Sequence, residues 1–171
     1  MGSIAQLVEH SAFNRRVLGS SPSGPIPSFP ATKEKQMIKT SYLQPIFNRY
    51  EYKLTLEMAI ETITDWADKN EIEFGAIAFT GVSGAGLAFP LSLELDKALL
   101  CVRKTNSSHS EHEVEGDFSE DKYIIVDDFT ETNGTIDTII EKIGTRSKCV
   151  GVYFYKPSIF TLTENHPPEI R

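Results

Sequence analysis

Three observations predict an α/β domain built on a parallel sheet. Short apolar runs rich in β-branched and aromatic residues recur at FGAIAF, ALLCV, YIIV and CVGVYFY, as buried parallel strands require. Stretches with apolar residues at helical spacing lie among them, so strand and helix alternate and right-handed crossovers follow. Glycine-rich, basic or acidic polar segments follow the strand ends, where the loops of such a sheet hold ligands.

The elements follow in order. Leu54–Lys69 (LTLEMAIETITDWADK) has the period of an amphipathic helix, with Trp66 as a packing residue. Phe74–Phe79 is a buried strand, followed by TGVSGAGLAFPLSLEL, a glycine-rich turn leading into a second helix. Ala98–Val102 is the next strand and ends in Arg103 and Lys104. Residues 105–122 (TNSSHSEHEVEGDFSEDK) are polar and without period, which predicts a long mobile functional loop. Its acidic run reads as a solvated face. Tyr123–Val126 is a buried strand running into Asp127 and Asp128; Thr132–Thr135 is a tight turn, and Thr135–Ile143 a helix. Cys149–Tyr155 closes the sheet. Phe74, Phe79, Tyr153, Phe154 and Tyr155 are expected in the core.

Composition narrows the function. The chain has 171 residues and a formal charge of −7, which argues against nucleic acid or an anionic membrane as partner. No apolar run is long enough to span a bilayer. Cys101 and Cys149 lie in strand-like runs and read as buried free thiols of a cytoplasmic protein.

Residues 1–36 differ in character: SSPSGPIPSFP is loop-forming and no apolar period is sustained. Permitted codons for Gly2–Pro25 can spell a whole tRNA gene. Ala5–Glu9 supply a D-arm, His10–Arg15 an anticodon arm reading TTT, and Leu18–Ser23 a T-arm. The segments Gly2–Ile4 and Ser23–Pro25 close the acceptor stem. Lys33–Met37 can read AAGGAGAAACAAATG, a ribosome-binding site before an ATG. The expectation is a bacterial or phage gene starting at Met37, with a single domain over 37–171. A disordered N-terminal tail is the alternative.

Strand, acidic pair, small polar loop and helix start make a phosphate site with a hydroxyl-binding or metal-binding edge. The stretch YIIVDDFTETNGTI resembles the PRPP motif of type I phosphoribosyltransferases. Upstream, TGVSGAG resembles that family's pyrophosphate loop, LLCVRK its strand ending in a basic pair, and TNSSHSEHEVEG occupies the position of its catalytic loop. The resemblance implies a Rossmann-like parallel sheet flanked by helices, with a small variable hood formed by residues 37–53 or by the tail 157–171. It implies transfer of ribose 5-phosphate from PRPP to a nitrogenous base, with Mg2+ as cofactor, in a homodimer. A non-catalytic PRPP-binding or nucleotide-binding regulator of the same fold is the alternative.

By the same resemblance Asp127 and Asp128 meet the ribose hydroxyls and, directly or through PRPP, the metal. Glu131, Thr132, Asn133, Gly134 and Thr135 cradle the 5′-phosphate, and Val82, Ser83 and Gly84 the pyrophosphate. Arg103 and Lys104 neutralise the leaving group, and His109 belongs to the catalytic loop. Asn133 stands where the family usually has glycine, and Asn tolerates the left-handed backbone such a turn needs. Orotate-type loops carry a further lysine ahead of their histidine; here Ser107 stands near that place, a departure that counts against an orotate acceptor. Glu131 occupies the position of an acidic residue that purine enzymes aim at the acceptor nitrogen, which favours a purine-like base.

Overall fold

In the computed structural model the described residues are 43–104, 112–129, 132–157 and 161–171. Residues 1–36 and the expected start at Met37 lie outside them. Helix α1 (Gln44–Phe47) leads through Asn48 into α2 (Arg49–Asn70). The Asn48 side chain accepts from the Tyr50 amide at 3.0 Å, capping α2 five residues before the expected start. Next come β1 (Ala76–Phe79), α3 (Gly81–Leu95), β2 (Ala98–Val102), β3 (Val114–Gly116) and β4 (Lys122–Asp127). Then α4 (Gly134–Ile143), a 3-10 turn, β5 (Lys148–Phe154) and β6 (Glu169–Ile170) complete the order.

Among the described residues the sheet has six strands in the order β3-β2-β1-β4-β5-β6. All pairings are parallel except β2–β3. The chain leaves β1 toward β2 on one side and toward β4 on the other, so the carboxyl ends of β1 and β4 form the topological switch point. On one face α2 and α3 bury Ala59, Ile63, Trp66, Leu87 and Leu91 against Ile77, Ile124 and Val126. On the other, α4 buries Ile136, Ile139 and Ile143 against Ala78, Ile125 and Val152. Strand residues alternate between the two cores, as a pleated sheet buried on both sides demands.

Four expectations are corrected. The glycine-rich segment after β1 forms no separate turn: α3 begins at Gly81, directly after its N-cap Thr80. The polar stretch 105–122 contains β3, because Val114 can fill the core beside Val102. The cysteines are free, but half-buried. In the tail, residues 169–170 join the sheet edge as β6, and His166 ties the preceding turn to α4 through Asp137 at 2.8 Å. Beside α3 lie α1 and the start of α2. Ile46 lies over Gly86, and the Tyr52 hydroxyl donates to the Gly86 carbonyl at 2.9 Å.

That last bond has a local cause. Pro90 sits inside α3 and has no N–H for the carbonyl four residues back, which is that of Gly86. Tyr52 supplies the donor the helix lacks. Tyr52→Phe is therefore expected to lower unfolding free energy by about 1 kcal/mol in urea titrations. The loss should shrink in a Pro90→Ala background, where the backbone donor returns; an equal loss in both backgrounds would contradict this account.

Candidate functional site

Strand β4 delivers Asp127 and Asp128 to the switch point, and both are buried, at 5% and 6% exposure. Asp127 Oδ1 accepts from the Ser83 hydroxyl at 3.0 Å and from the Asp128 amide at 2.9 Å. The backbone beneath is fixed by β5's continuation: Tyr155 N–H donates to the Asp127 carbonyl and Lys156 N–H to that of Asp128. Ser83 can reach Asp127 because Gly84 lets α3 come close. A Cβ on Gly84 would stand 2.9 Å from the Val126 carbonyl oxygen and from Phe79 Cβ. The Tyr155 hydroxyl donates to the Ser83 carbonyl at 3.1 Å, holding that turn from the other side.

Asn133 adopts the left-handed conformation, φ 57°, as the sequence leads one to expect. It caps α4, so Gly134 and Thr135 present their amides at that helix's N-terminus, with Thr132 beside them. The structure thus brings Asp127, Asp128, Ser83, Gly84 and the turn 132–135 to one end of the sheet. Val82 is on the same first turn of α3 but faces outward, 62% exposed.

The basic pair divides. Gly81 has φ 63°, and Lys104 Cε and Nζ stand 3.2 Å from where its Cβ would be, so Lys104 lies over the start of α3. Arg103 points instead to Glu115 of β3, at 3.2 Å. Neighbouring residues of an extended chain face opposite ways, so one of the pair had to turn from the site. Lys142 of α4 braces this strand end, donating to the Arg103 carbonyl at 2.8 Å. Thr80 ties β1 to β2 through the Val102 carbonyl at 2.7 Å. His109 and Glu131 lie outside the described residues.

Sequence reasoning assigned Tyr155 only to the core and missed Lys156, Phe129 and Lys142. Lys156 Nζ lies 5.8 Å from the Phe129 ring centroid. Only Phe129, following the acidic pair, carried a local signal. Two cavities, of about 730 and 880 Å3, open at the opposite, amino end of the sheet, the first beside Ile72–Gly75 and Leu95–Ala98, the second beside Ser147–Val150. Neither gathers the acidic pair, Ser83 and a helix N-terminus, so the chemistry is assigned to the carboxyl end on geometry, not on cavity size.

Burial pushes the Asp127 carboxyl up to about 6, with the Asp128 charge adding to the rise and the amide and Ser83 donors opposing it. No described cluster of three or more His, Cys, Asp or Glu side chains could hold a metal alone. Burial likewise pushes the Cys149 thiol up to about 12, leaving it a packing residue.

This is an α/β fold with a mostly parallel six-stranded sheet, an acidic pair at its switch point and a turn leading into a helix N-terminus. No family profile matches the chain. Two curated relatives are the orotate phosphoribosyltransferases of Pyrococcus furiosus and Pyrococcus abyssi. They are 31% and 32% identical over 83 residues, covering 47% of this chain and 46% of each relative. The chain thus spans about half the length of the curated relatives it matches. Among solved structures, an adenine phosphoribosyltransferase superposes with a TM-score of 0.51 at 18% identity, covering 68% of this chain and 79% of that one. A phosphoribosyltransferase from Corynebacterium diphtheriae gives 0.50 at 19%, covering 64% and 67%. These likenesses establish the fold. Over those 83 residues the chain is similar in sequence to orotate phosphoribosyltransferases, and its fold is similar to that of solved phosphoribosyltransferases. No described helix is long and apolar enough to cross a membrane.

An acid whose pKa is raised by folding stabilises the protonated fold, and that stability is lost as pH rises through the folded value. For Asp127 the window runs from about 4 to about 6. Asp127→Asn is therefore expected to unfold at higher urea than wild type at pH 8, by up to roughly 3 kcal/mol. The gap should close as pH falls below about 4. A variant less stable than wild type at pH 8 would show that the ionised carboxylate is well solvated.

Proposed function

We propose that this chain is a phosphoribosyltransferase that joins a nitrogenous base to ribose 5-phosphate from PRPP and releases pyrophosphate. The observation that carries this is the buried Asp127–Asp128 pair held between Ser83 and the left-handed turn at Asn133. Each residue type suits a part of that substrate. The carboxylates would accept from vicinal ribose hydroxyls, while Asp127 Oδ1 also accepts from Ser83 and the Asp128 amide. The amides of Asn133–Thr135 receive a phosphate at the start of α4. Lys104, over the start of α3, would neutralise the leaving pyrophosphate.

Magnesium fits this arrangement through its substrate. The ion keeps several waters and takes one or two carboxylates plus phosphates, and the acidic pair supplies that number without a dedicated cage. Asp127 or Asp128 would hold it, directly or through PRPP, and when bound it neutralises charge on the departing pyrophosphate. The protein's own part is positioning. A buried carboxylate pair beneath the sugar favours the positive charge that develops as the bond to pyrophosphate breaks.

Glu131 favours a purine-like acceptor, since its place after the acidic pair suits a carboxylate that takes the proton of the attacking ring nitrogen. The turn of Arg103 toward Glu115 favours the other reading, a PRPP-binding regulator without turnover. A pyrophosphate-release assay with PRPP, magnesium and a panel of purine and pyrimidine bases separates the two. Release with one base is expected, a purine-like one first. Glu131→Gln should cut that rate about tenfold or more while PRPP still binds. PRPP binding without release on any base would establish the regulator instead.

A further inference from the structure

The larger cavity at the amino end of the sheet, about 880 Å3, has a chemistry that the switch point does not use. It wraps the first residues of β4 and β5, roughly 16 Å along β4 from Asp127. In the β4–β5 register Lys122 stands directly beside Lys148, and both lysines line this cavity. Neighbouring strands are about 4.8 Å apart, and like charges set side by side across them are destabilising. Among the described residues neither lysine has an ion-pair partner. No Asp or Glu lines the cavity. Asp121 and Glu120 belong to the other one, with the Glu120 carboxylate over Gly75, on the β1 side of Lys122. Other cations nearby are engaged. Arg146 donates to the Ile143 and Lys142 carbonyls and lies 4.0 Å from the Phe118 ring centroid, and Lys97 lies 5.2 Å from that of Phe74. A chain of net charge −7 thus keeps two uncompensated cations together in one cavity.

We propose that this cavity binds a phosphomonoester carried on an apolar body. Such a phosphate is close to dianionic at neutral pH, so two lysine point charges match it, and lysine is a common phosphate ligand. Binding the dianion also relieves the repulsion between Lys122 and Lys148, a gain that a lone surface lysine does not offer. Ser147, just ahead of β5, lines the cavity too. It is buried, and its hydroxyl has no hydrogen-bond partner among the described residues. Buried polar groups are rarely left so, and rotation about χ1 would turn this one to a ligand oxygen. The remaining wall suits an apolar body, with Ile72, Val150, Pro167 and Pro168. That wall is fixed in advance. His166 is held by Thr163 Oγ1 at 2.7 Å and Asp137 Oδ1 at 2.8 Å, and the Pro168 carbonyl accepts from the Val152 amide at 3.0 Å. The volume falls within the range of about 300–1,000 Å3 usual for small-molecule sites.

Amide proton–nitrogen correlation spectra of the isotope-labelled full chain, titrated with phenyl phosphate, test the site residue by residue. Saturable shifts are expected at residues 144–150 and 165–166. Inorganic phosphate, which lacks the apolar body, should move the same amides with affinity about tenfold lower or less. Phenol, which lacks the charge, should leave them in place. Lys122→Gln combined with Lys148→Gln should weaken phenyl phosphate binding about tenfold or more. Without ligand that variant should melt at or above the wild-type temperature, because the repulsion is gone; a pair kept for the fold would melt lower. Shifts confined to residues 132–135 would put the anion at the switch point and overturn the proposal. So would no saturable shift at millimolar phenyl phosphate, or binding that both substitutions leave unchanged. Benzoate bound as tightly as phenyl phosphate would overturn the assignment to a phosphate.

Discussion

The proposed site depends on two carboxylates being held out of water at the end of β4. Asp127 is almost completely buried, and burial raises its pKa despite donors from Ser83 and the Asp128 amide. Such a group does not belong there for the sake of the fold. A hydrophobic or amide side chain would serve the core better, so the position costs stability that a ligand with hydroxyl donors would return. The surrounding architecture makes the arrangement possible. The parallel sheet reverses its strand order between β1 and β4, which opens a crevice there, and α3 closes on it through Gly84.

The same constraint explains the second ring of contacts. Tyr155, Ser83 and the two carbonyls of the acidic pair form one hydrogen-bonded unit linking α3, β4 and the end of β5. Lys142 and Thr80 do the corresponding work on the β2 side, tying the root of the segment that carries Lys104. Pro90 and Tyr52 fasten the N-terminal helices to α3 close by. The candidate site's side chains therefore stand on strand ends and helix starts, which hold geometry better than free loops do.

What could be read beforehand was whatever depends on local chemistry. YIIV followed by two aspartates marks a buried strand and its exit, and Asn133 was legible because few residues accept positive φ. The parts that escaped depend on pairing between distant segments. Nothing in Arg103-Lys104 says which side chain faces the site; that is settled by the antiparallel edge strand β3, three residues long and hidden in a polar run. Strand β6 is two residues long, too short to show alternation, so its pairing with β5 was not legible. Tyr155 looked like core because its apolar ring is, while its hydroxyl bond to Ser83 spans 72 residues of sequence.

The central claim is that the acidic pair binds the ribose of PRPP. Calorimetric titration of wild type and of Asp127→Asn combined with Asp128→Asn, with PRPP and magnesium, tests it most directly. Two charge-assisted hydrogen bonds at about 1.5–3 kcal/mol each predict a loss of affinity of about a hundredfold or more in a variant that remains folded. Wild-type affinity in that folded variant would contradict the account.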